Sequence, residues 1–370
     1  MDKNFIFTSE SVCSGHPDKI CDQVSDAILD EVLKVDPKGR VAVETVAAFN
    51  KLIIVGEVTA KFKINFKKIA KQQIRRLGYT NLAWNFSDQS AIEVVVHQQS
   101  SEIAAGVDEM GAGDQGMMFG FACKDSQNFM PLPISLAHKL AEKIDLVREN
   151  HTLDYLRPDG KTQVTVEYKN GKPLKVLKVV VAVPHNEEIS LNQVKESIYK
   201  QVVKAVLEEF GFKISPKNLI VNGTGVWHKG GPASDSGLTG RKIVVDTYGG
   251  FARVGGGAFS GKDPTKVDRS GAYAARFIAK NIVANNLADK VEVALAYFIG
   301  AKKPLMEEIE TFGTAKTSQK VIKAFVKKII DTSVAGIIKT LDLQRPIYLK
   351  TASYGHFGRA DFPWEKIVKV

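Results

Sequence analysis

The sequence predicts an α+β fold built in layers, with the same kind of layer recurring along the chain. Three observations predict it. Apolar residues recur every three to four positions in several long segments, the period of helices packed on one face. Strand-like runs come in adjacent pairs, and one pair is joined by Asn170-Gly171, a dipeptide suited to a two-residue hairpin turn. Hairpins and helices then alternate in three rounds, which argues against the parallel sheet of a doubly wound fold.

Taken in order, residues 17–34 read as an amphipathic helix. Ile20, Val24, Ala27, Ile28 and Val32 fall at helical spacing, and Pro17 suits the first helical position. Residues 41–45 and 52–59 read as strands turning at Asn50. Residues 66–77 read as a basic helix ended by Gly78, and 91–96 as a strand. Residues 98–110 are polar and rich in small side chains. They lead into Gly111-Ala112-Gly113-Asp114-Gln115-Gly116 and read as a mobile loop at a domain boundary. A helix over 133–149, a hairpin over 163–168 and 174–183, and a long helix over 191–210 follow. Residues 223–240 read as a second glycine-rich loop region. Beyond it come a strand over 242–246, a helix over 269–285, a strand over 291–299 and a helix over 318–330. No repeat is visible by residue identity.

The 370 residues, 44% hydrophobic and 25% charged, are ordinary for a water-soluble protein and too many for one simple core. The expected segments are an N-terminal domain over 1–100, a central domain over 111–229 and a C-terminal domain over 230–370. The net charge of +10 suits a polyanionic ligand. Acidic residues are interspersed throughout and no aromatic-basic stripe occurs, so a nucleotide is expected and a nucleic acid is not. Cys13, Cys21 and Cys123 form no CxxC pair, which fits a reducing compartment and neither a disulfide framework nor a zinc site. The first residues are too short and polar for a signal peptide, and no apolar run reaches about 18 residues. A cytoplasmic protein away from membranes is expected.

Four polar clusters carry the chemistry. Gly256 to Lys262 reads G-x-x-x-x-G-K, the opening of a phosphate-cradling loop, but Asp263 stands where Ser or Thr would hold Mg²⁺. The three glycines 255–257 suggest a backbone that approaches an anion. Lys262 and Lys266 could flank a phosphate chain while Asp268 binds a metal, close to Arg269 at a helix start. Ser14-Gly15-His16-Pro17-Asp18-Lys19 places His16 and Asp18 at a helix N-terminus. They read either as an anion donor and a metal ligand or as a cap with a dipole-favoured Asp. Asp114 in its glycine loop either meets a sugar or base or bonds its own backbone. Arg241-Lys242 either brackets a phosphate or is a basic strand end.

These clusters, in this order, resemble the S-adenosylmethionine synthetase (methionine adenosyltransferase) family. The matching stretches are residues 7–12, 15–19, 111–116, 237–242, 246–250, 255–269 and Tyr354-Gly355-His356-Phe357-Gly358-Arg359, so the likeness spans nearly the whole chain. The resemblance implies three similar α/β-layer domains with pseudo-threefold symmetry. It also implies a homodimer or a homotetramer that is a dimer of dimers, with sites shared across subunits. The implied reaction joins ATP to L-methionine to give S-adenosylmethionine, then cleaves the triphosphate to pyrophosphate and phosphate, with Mg²⁺ and K⁺ as ions.

The same resemblance implies the residue roles. His16 contacts the triphosphate, and Lys161, Arg241 and Lys262 join it as catalytic groups. Asp18 and Asp268 look like Mg²⁺ ligands and Glu44 like a K⁺ ligand. Glu57, Gln99 and Lys266 match methionine positions, and Asp235 touches both substrates. Asp114, Asp159, Lys161, Trp227, Arg241, Lys242, Ala258 and Lys262 match ATP positions. Two departures stand out. Val226-Trp227 replaces the Arg-Phe usual in the family, and the loop from Gln99 to Gly111 is shorter. Trp227 retains an aromatic face for adenine. A kinase of the P-loop class and a nucleic-acid-binding protein are the rivals. Asp263 and the interspersed acids stand against them.

Overall fold

The computed structural model describes residues 4–98 and 111–369. One unit recurs in it: a strand, a long buried helix, a hairpin, and a second helix packed beside the first. The first copy runs β1 (Phe5–Val12), α1 (Pro17–Val35), β2 (Arg40–Ala48), β3 (Lys51–Thr59), α2 (Phe66–Arg76) and β4 (Ala91–His97). The second runs β5 (Gly116–Cys123), α3 (Leu132–Glu149), β6 (Lys161–Lys169), β7 (Lys172–Ala182), α4 (Leu191–Ile198), a π-helical turn at Tyr199–Val203, α5 (Lys204–Glu209), and β8 (Leu219–Val221). The third runs β9 (Gly237–Leu238), a helical turn α6 (Ile243–Asp246), α7 (Val267–Ala284), β10 (Lys290–Tyr297), β11 (Met306–Glu310) and a helix at Gln319–Ile329. This is the α+β architecture with pseudo-threefold symmetry.

The copies interlock by lending strands. Each copy's first strand pairs antiparallel with the hairpin of another copy. β1 joins β6, β5 joins β10, and β9 joins β2. The sheet orders are β1-β6-β7-β8, β5-β10-β11 and β9-β2-β3-β4. The segments 1–100, 111–229 and 230–370 therefore share sheets. Asn170 and Gly171 both take positive φ, 52° and 74°, as their two-residue turn requires.

Each sheet is covered on one face by its long helix. These helices are buried almost all round, not amphipathic in the surface sense. All of residues 17–30 in α1 and 267–283 in α7 are buried. The other face of each sheet keeps exposed apolar side chains, among them Ile6 (61%), Val95 (55%) and Met117 (46%). Two readings of the sequence are corrected here. Residues 242–246 form a helical turn in place of a strand, closed by Asp246 N–H on the Lys242 carbonyl at 2.8 Å. The loop region over 223–240 contains β9, a strand whose partner is almost two hundred residues away. All three cysteines are buried and free. Among the described residues, no helix is long and apolar enough to cross a membrane.

Candidate active site

Helix α1 carries Asp18, Asp22, Asp26 and Asp30 at intervals of four, which stacks them on one face. All four are buried. Together they accept from the backbone of three separate stretches of chain: Asp18 from Leu238 N–H (3.0 Å), Asp22 from Gly240 N–H (2.8 Å), Asp26 from Gly261 N–H (2.8 Å), and Asp30 from Tyr348 and Leu349 N–H (2.9 Å each). Buried carboxylates are tolerated when such bonds and countercharges satisfy them. One helix thereby fixes the loop bearing Arg241 and Lys242 and the loop bearing Lys262.

The candidate residues fall into two groups. In the first, His16 caps α1, and its Nδ1 accepts from Asp18 N–H at 3.2 Å. That leaves the ring proton on Nε2. Nε2 is buried and has no partner among the described residues. Burial, then the neighbouring Lys242 against the pull of Asp18, pushes His16 down to about 3, so the ring is neutral. Asp18 meets Arg241 Nε at 2.9 Å and Lys242 Nζ at 2.5 Å. Burial opposes its charge, but the Lys242 and Leu238 hydrogen bonds prevail and hold it below the usual carboxylate range. Beneath this pair, buried Lys19 lies between Asp22 (2.9 Å) and Asp246. Burial works against its charge, and those two carboxylates hold it charged.

Lys161, Asp235 and Arg241 stand exposed around this group. Asp159 is buried and raised to about 6 by burial, and it accepts from Gly160 and Gly231 N–H at 2.7 Å each. Its bond to Gly231 anchors the segment that carries Trp227, whose ring is half-buried and donates to the Lys229 carbonyl at 2.7 Å.

The second group gathers on the open face of the β9-β2-β3-β4 sheet. The strand registers pair Glu44 with Val55 and Glu57 with His97. Glu44, Glu57, His97, Ala258, Ser260 and Lys262 line a cavity of about 420 Å³. His97 Nε2 lies 3.5 Å from Glu57. Lys262 meets Asp268 at 2.5 Å. Asp114 is exposed, and its carboxylate accepts from Gln115 N–H at 2.7 Å. Gly113 N–H reaches the Thr265 carbonyl at 3.3 Å and holds that loop against this group. Gln99 lies outside the described residues.

The glycines of the 255–261 loop are required largely by close packing. A Cβ on Gly255 would lie 2.2 Å from the Met117 carbonyl, and one on Gly257 would lie 2.1 Å from the Asp268 carboxyl carbon. Gly261, at φ 79°, packs against the Val43 carbonyl, 1.9 Å from where a Cβ would stand. These glycines make room for the protein itself. Of the run 255–257, only Gly256 borders open space. Asp263 is a buried staple. It accepts from Val41 N–H (2.8 Å), Thr265 N–H (3.0 Å) and Lys266 Nζ (2.5 Å). Lys266, expected beside a substrate, points at Asp263.

Among the described residues, no hydrogen bond or ion pair joins a member of the first group to a member of the second. They approach through Gly240, where an added Cβ would lie 2.2 Å from that of Ala258. No set of three or more His, Cys, Asp or Glu gathers as a metal cage among those residues. The sequence reading gave no role to Lys19, Asp22, Asp26, Asp246, His97 or Ser260. The four-residue spacing of the α1 aspartates was the available signal.

The family models for the N-terminal, central and C-terminal domains of S-adenosylmethionine synthetase match residues 4–101, 109–227 and 229–366. A protein described as S-adenosylmethionine synthase, from Clostridium tetani (strain Massachusetts / E88), is 50% identical over 382 aligned residues. The alignment covers 99% of this chain and 97% of that relative.

Proposed function

Because the chain belongs to the S-adenosylmethionine synthetase family and makes S-adenosylmethionine from ATP and methionine, we propose that its two residue groups are the two halves of one active site, contributed by different chains of a homodimer or a dimer of dimers. The observation behind this reading is their separation within one chain. The second group also lies on an open sheet face beside exposed Val95.

Methionine sulfur is nucleophilic without losing a proton, so the reaction needs no general base. It needs sulfur aligned with C5′ of ATP and stabilisation of the departing triphosphate. His16 offers a neutral Nε2–H, buried and unengaged, beside Lys161, Arg241 and Lys242. Such a donor costs little reorganisation when negative charge builds on the leaving oxygen. Lys262 from the second half closes on the phosphate chain, which is afterwards cleaved to pyrophosphate and phosphate. Asp159 holds the segment bearing Trp227, the adenine platform, and Ala258 and Asp114 line the nucleotide side. Glu57, Gln99 and Asp235 form the methionine side. Lys266 acts through Asp263 on loop geometry.

The family is metal-dependent. Asp18 and Asp268 each hold a lysine Nζ at 2.5 Å. One or two carboxylates completed by substrate phosphates is a donor set that suits Mg²⁺ and not a protein-only cage. They would hold Mg²⁺, which neutralises phosphate oxygens when bound, and Glu44 would hold K⁺. Three buried free cysteines fit work in the cytoplasm. The test is incubation with ATP and Mg²⁺, with and without methionine. S-adenosylmethionine should appear with equal phosphate and pyrophosphate, only when methionine is present. ADP formation, or phosphate release indifferent to methionine, would refute the reading.

A further inference from the structure

A cavity of about 280 Å³ lies between α3 and the loop over 353–359, and it shares no lining residue with either half-site. Arg359 lines it. This side chain is mostly buried, yet among the described residues it has no carboxylate within ion-pair distance. Its Nη2 donates to the Lys350 (2.7 Å) and Gly355 (2.9 Å) carbonyls, its plane lies over Phe362, and its Nε has no partner. Asp361 and Glu142 act on it only from beyond ion-pair distance, which leaves a buried guanidinium short of the direct partner that an anion would supply. His138, 8% exposed, lines the same cavity. Its Nδ1 shares a 2.8 Å hydrogen bond with the Ser11 hydroxyl, and its unpartnered Nε2 packs against Gly355, so the ring walls the cavity.

The opposite charge is present as well. Lys139 pairs with Glu142 at 2.9 Å, and Glu209 also lines the cavity and acts on the same ammonium. Two carboxylates thus share one lysine. A simple anion drawn to Arg359 would meet Glu142 and Glu209. A simple cation would meet Arg359. A zwitterion satisfies both ends, and Phe210 and Phe357 give it an apolar wall.

We propose that this cavity binds a free α-amino acid with an apolar side chain, its carboxylate on Arg359, its ammonium toward Glu209 and Glu142, and its side chain against Phe210 and Phe357. The ligand would act at a distance from the reaction, as a regulator of the enzyme's own amino-acid chemistry.

The test uses the full-length enzyme with its catalytic site saturated by S-adenosylmethionine, and L-leucine as the probe in calorimetric titration. Leucine should bind once per chain. Arg359→Met should weaken binding by about tenfold or more, since a bidentate charge-assisted contact is lost. Glu209→Gln, on the exposed rim, should weaken it severalfold, and it keeps the test decisive if Arg359→Met does not fold. Both variants should keep the adenosyl-transfer kcat measured without leucine. Acetate and propylamine, each carrying one end of the zwitterion, should bind far more weakly. Three outcomes overturn the proposal: no leucine binding in the millimolar range, binding unchanged in Glu209→Gln, or acetate binding as tightly as leucine.

Discussion

Helices α1 and α3 hold the same place in their repeats, each covering a sheet and followed by a hairpin, yet they bury different chemistry. α3 packs mainly Leu, Ile, Ala and Val against its sheet, with Asp145 as its one buried carboxylate. Asp145 accepts from Ser14 N–H (2.7 Å), the Tyr354 hydroxyl (2.7 Å) and Arg148 (3.1 Å). α1 buries four aspartates in a row. The third equivalent, α7, buries Arg269, Arg276 and Lys280, and Arg269 forks onto Asp26 at 2.7 and 2.8 Å. The repeat therefore explains the fold, and its departures explain the site. A stripe of carboxylates weakens a core unless every one is hydrogen-bonded, so its presence marks the helix that must hold loops in place.

The sharpest way to break this contrast is to remove one carboxylate from each helix. Asp26→Asn keeps an oxygen for Gly261 N–H but leaves buried Arg269 without its carboxylate, so it should cost about 3–5 kcal/mol. Asp145→Asn should cost about 1–3 kcal/mol, because Arg148 keeps Glu149 at 3.0 Å. Denaturant unfolding of both variants measures the difference, and equal losses would deny α1 its special standing.

Next in size are the side chains on the loops that α1 holds. Lys262→Ala and Arg241→Ala should each lower kcat by on the order of 10²-fold, with a smaller change in methionine KM, because their charges oppose negative charge that grows during departure. Steady-state kinetics near wild type in both would place them outside the site.

A smaller effect distinguishes α3. Burial, then Arg359 and Lys19, pushes His138 down to about 3 from an ordinary 6.5. Below pH 6.5 the unfolded chain takes up a proton that the folded ring refuses, so stability falls as pH falls towards 3. His138→Gln removes that linkage. Its cost in unfolding free energy should be about 2.7 kcal/mol less at pH 4.5 than at pH 8. A pH-independent cost would mean that His138 protonates in the fold. Smallest is Trp227, which lies on neither helix. Trp227→Ala should raise ATP KM on the order of tenfold and Trp227→Phe little, since adenine needs a ring face. Equal values for Ala and Phe would remove Trp227 from the base.

What the sequence made legible was local. The first two hairpins carry their own turns, at Asn50 and Asn170-Gly171, and the long helices carry their own periodicity. The lent strands β1, β5 and β9 were missed for a shared reason: each pairs with a distant copy, as Phe5 does with Tyr168, and nothing nearby marks the partner. β11, with the sequence Met-Glu-Glu-Ile-Glu, is too acidic to read as a strand without β10 beside it. Ile243-Val244-Val245 has strand propensity but is overridden where Asp18 and Lys19 grip Lys242 and Asp246. The clusters around His16, Asp114, Arg241 and Lys262 could be found by composition and spacing. Their sorting into two groups could not, because it depends on which strand borders which loop.

That sorting is tested most directly by mixing two inactive variants. Asp18→Asn disables the first half-site and Lys262→Ala the second. The two are dissociated together, reassociated and assayed for S-adenosylmethionine formation. If the halves come from different chains, each hybrid dimer holds one intact site, and random reassociation should restore up to about a quarter of wild-type activity. Stable dimers that recover nothing over the separate variants would contradict the account and place both residues in the site of a single chain.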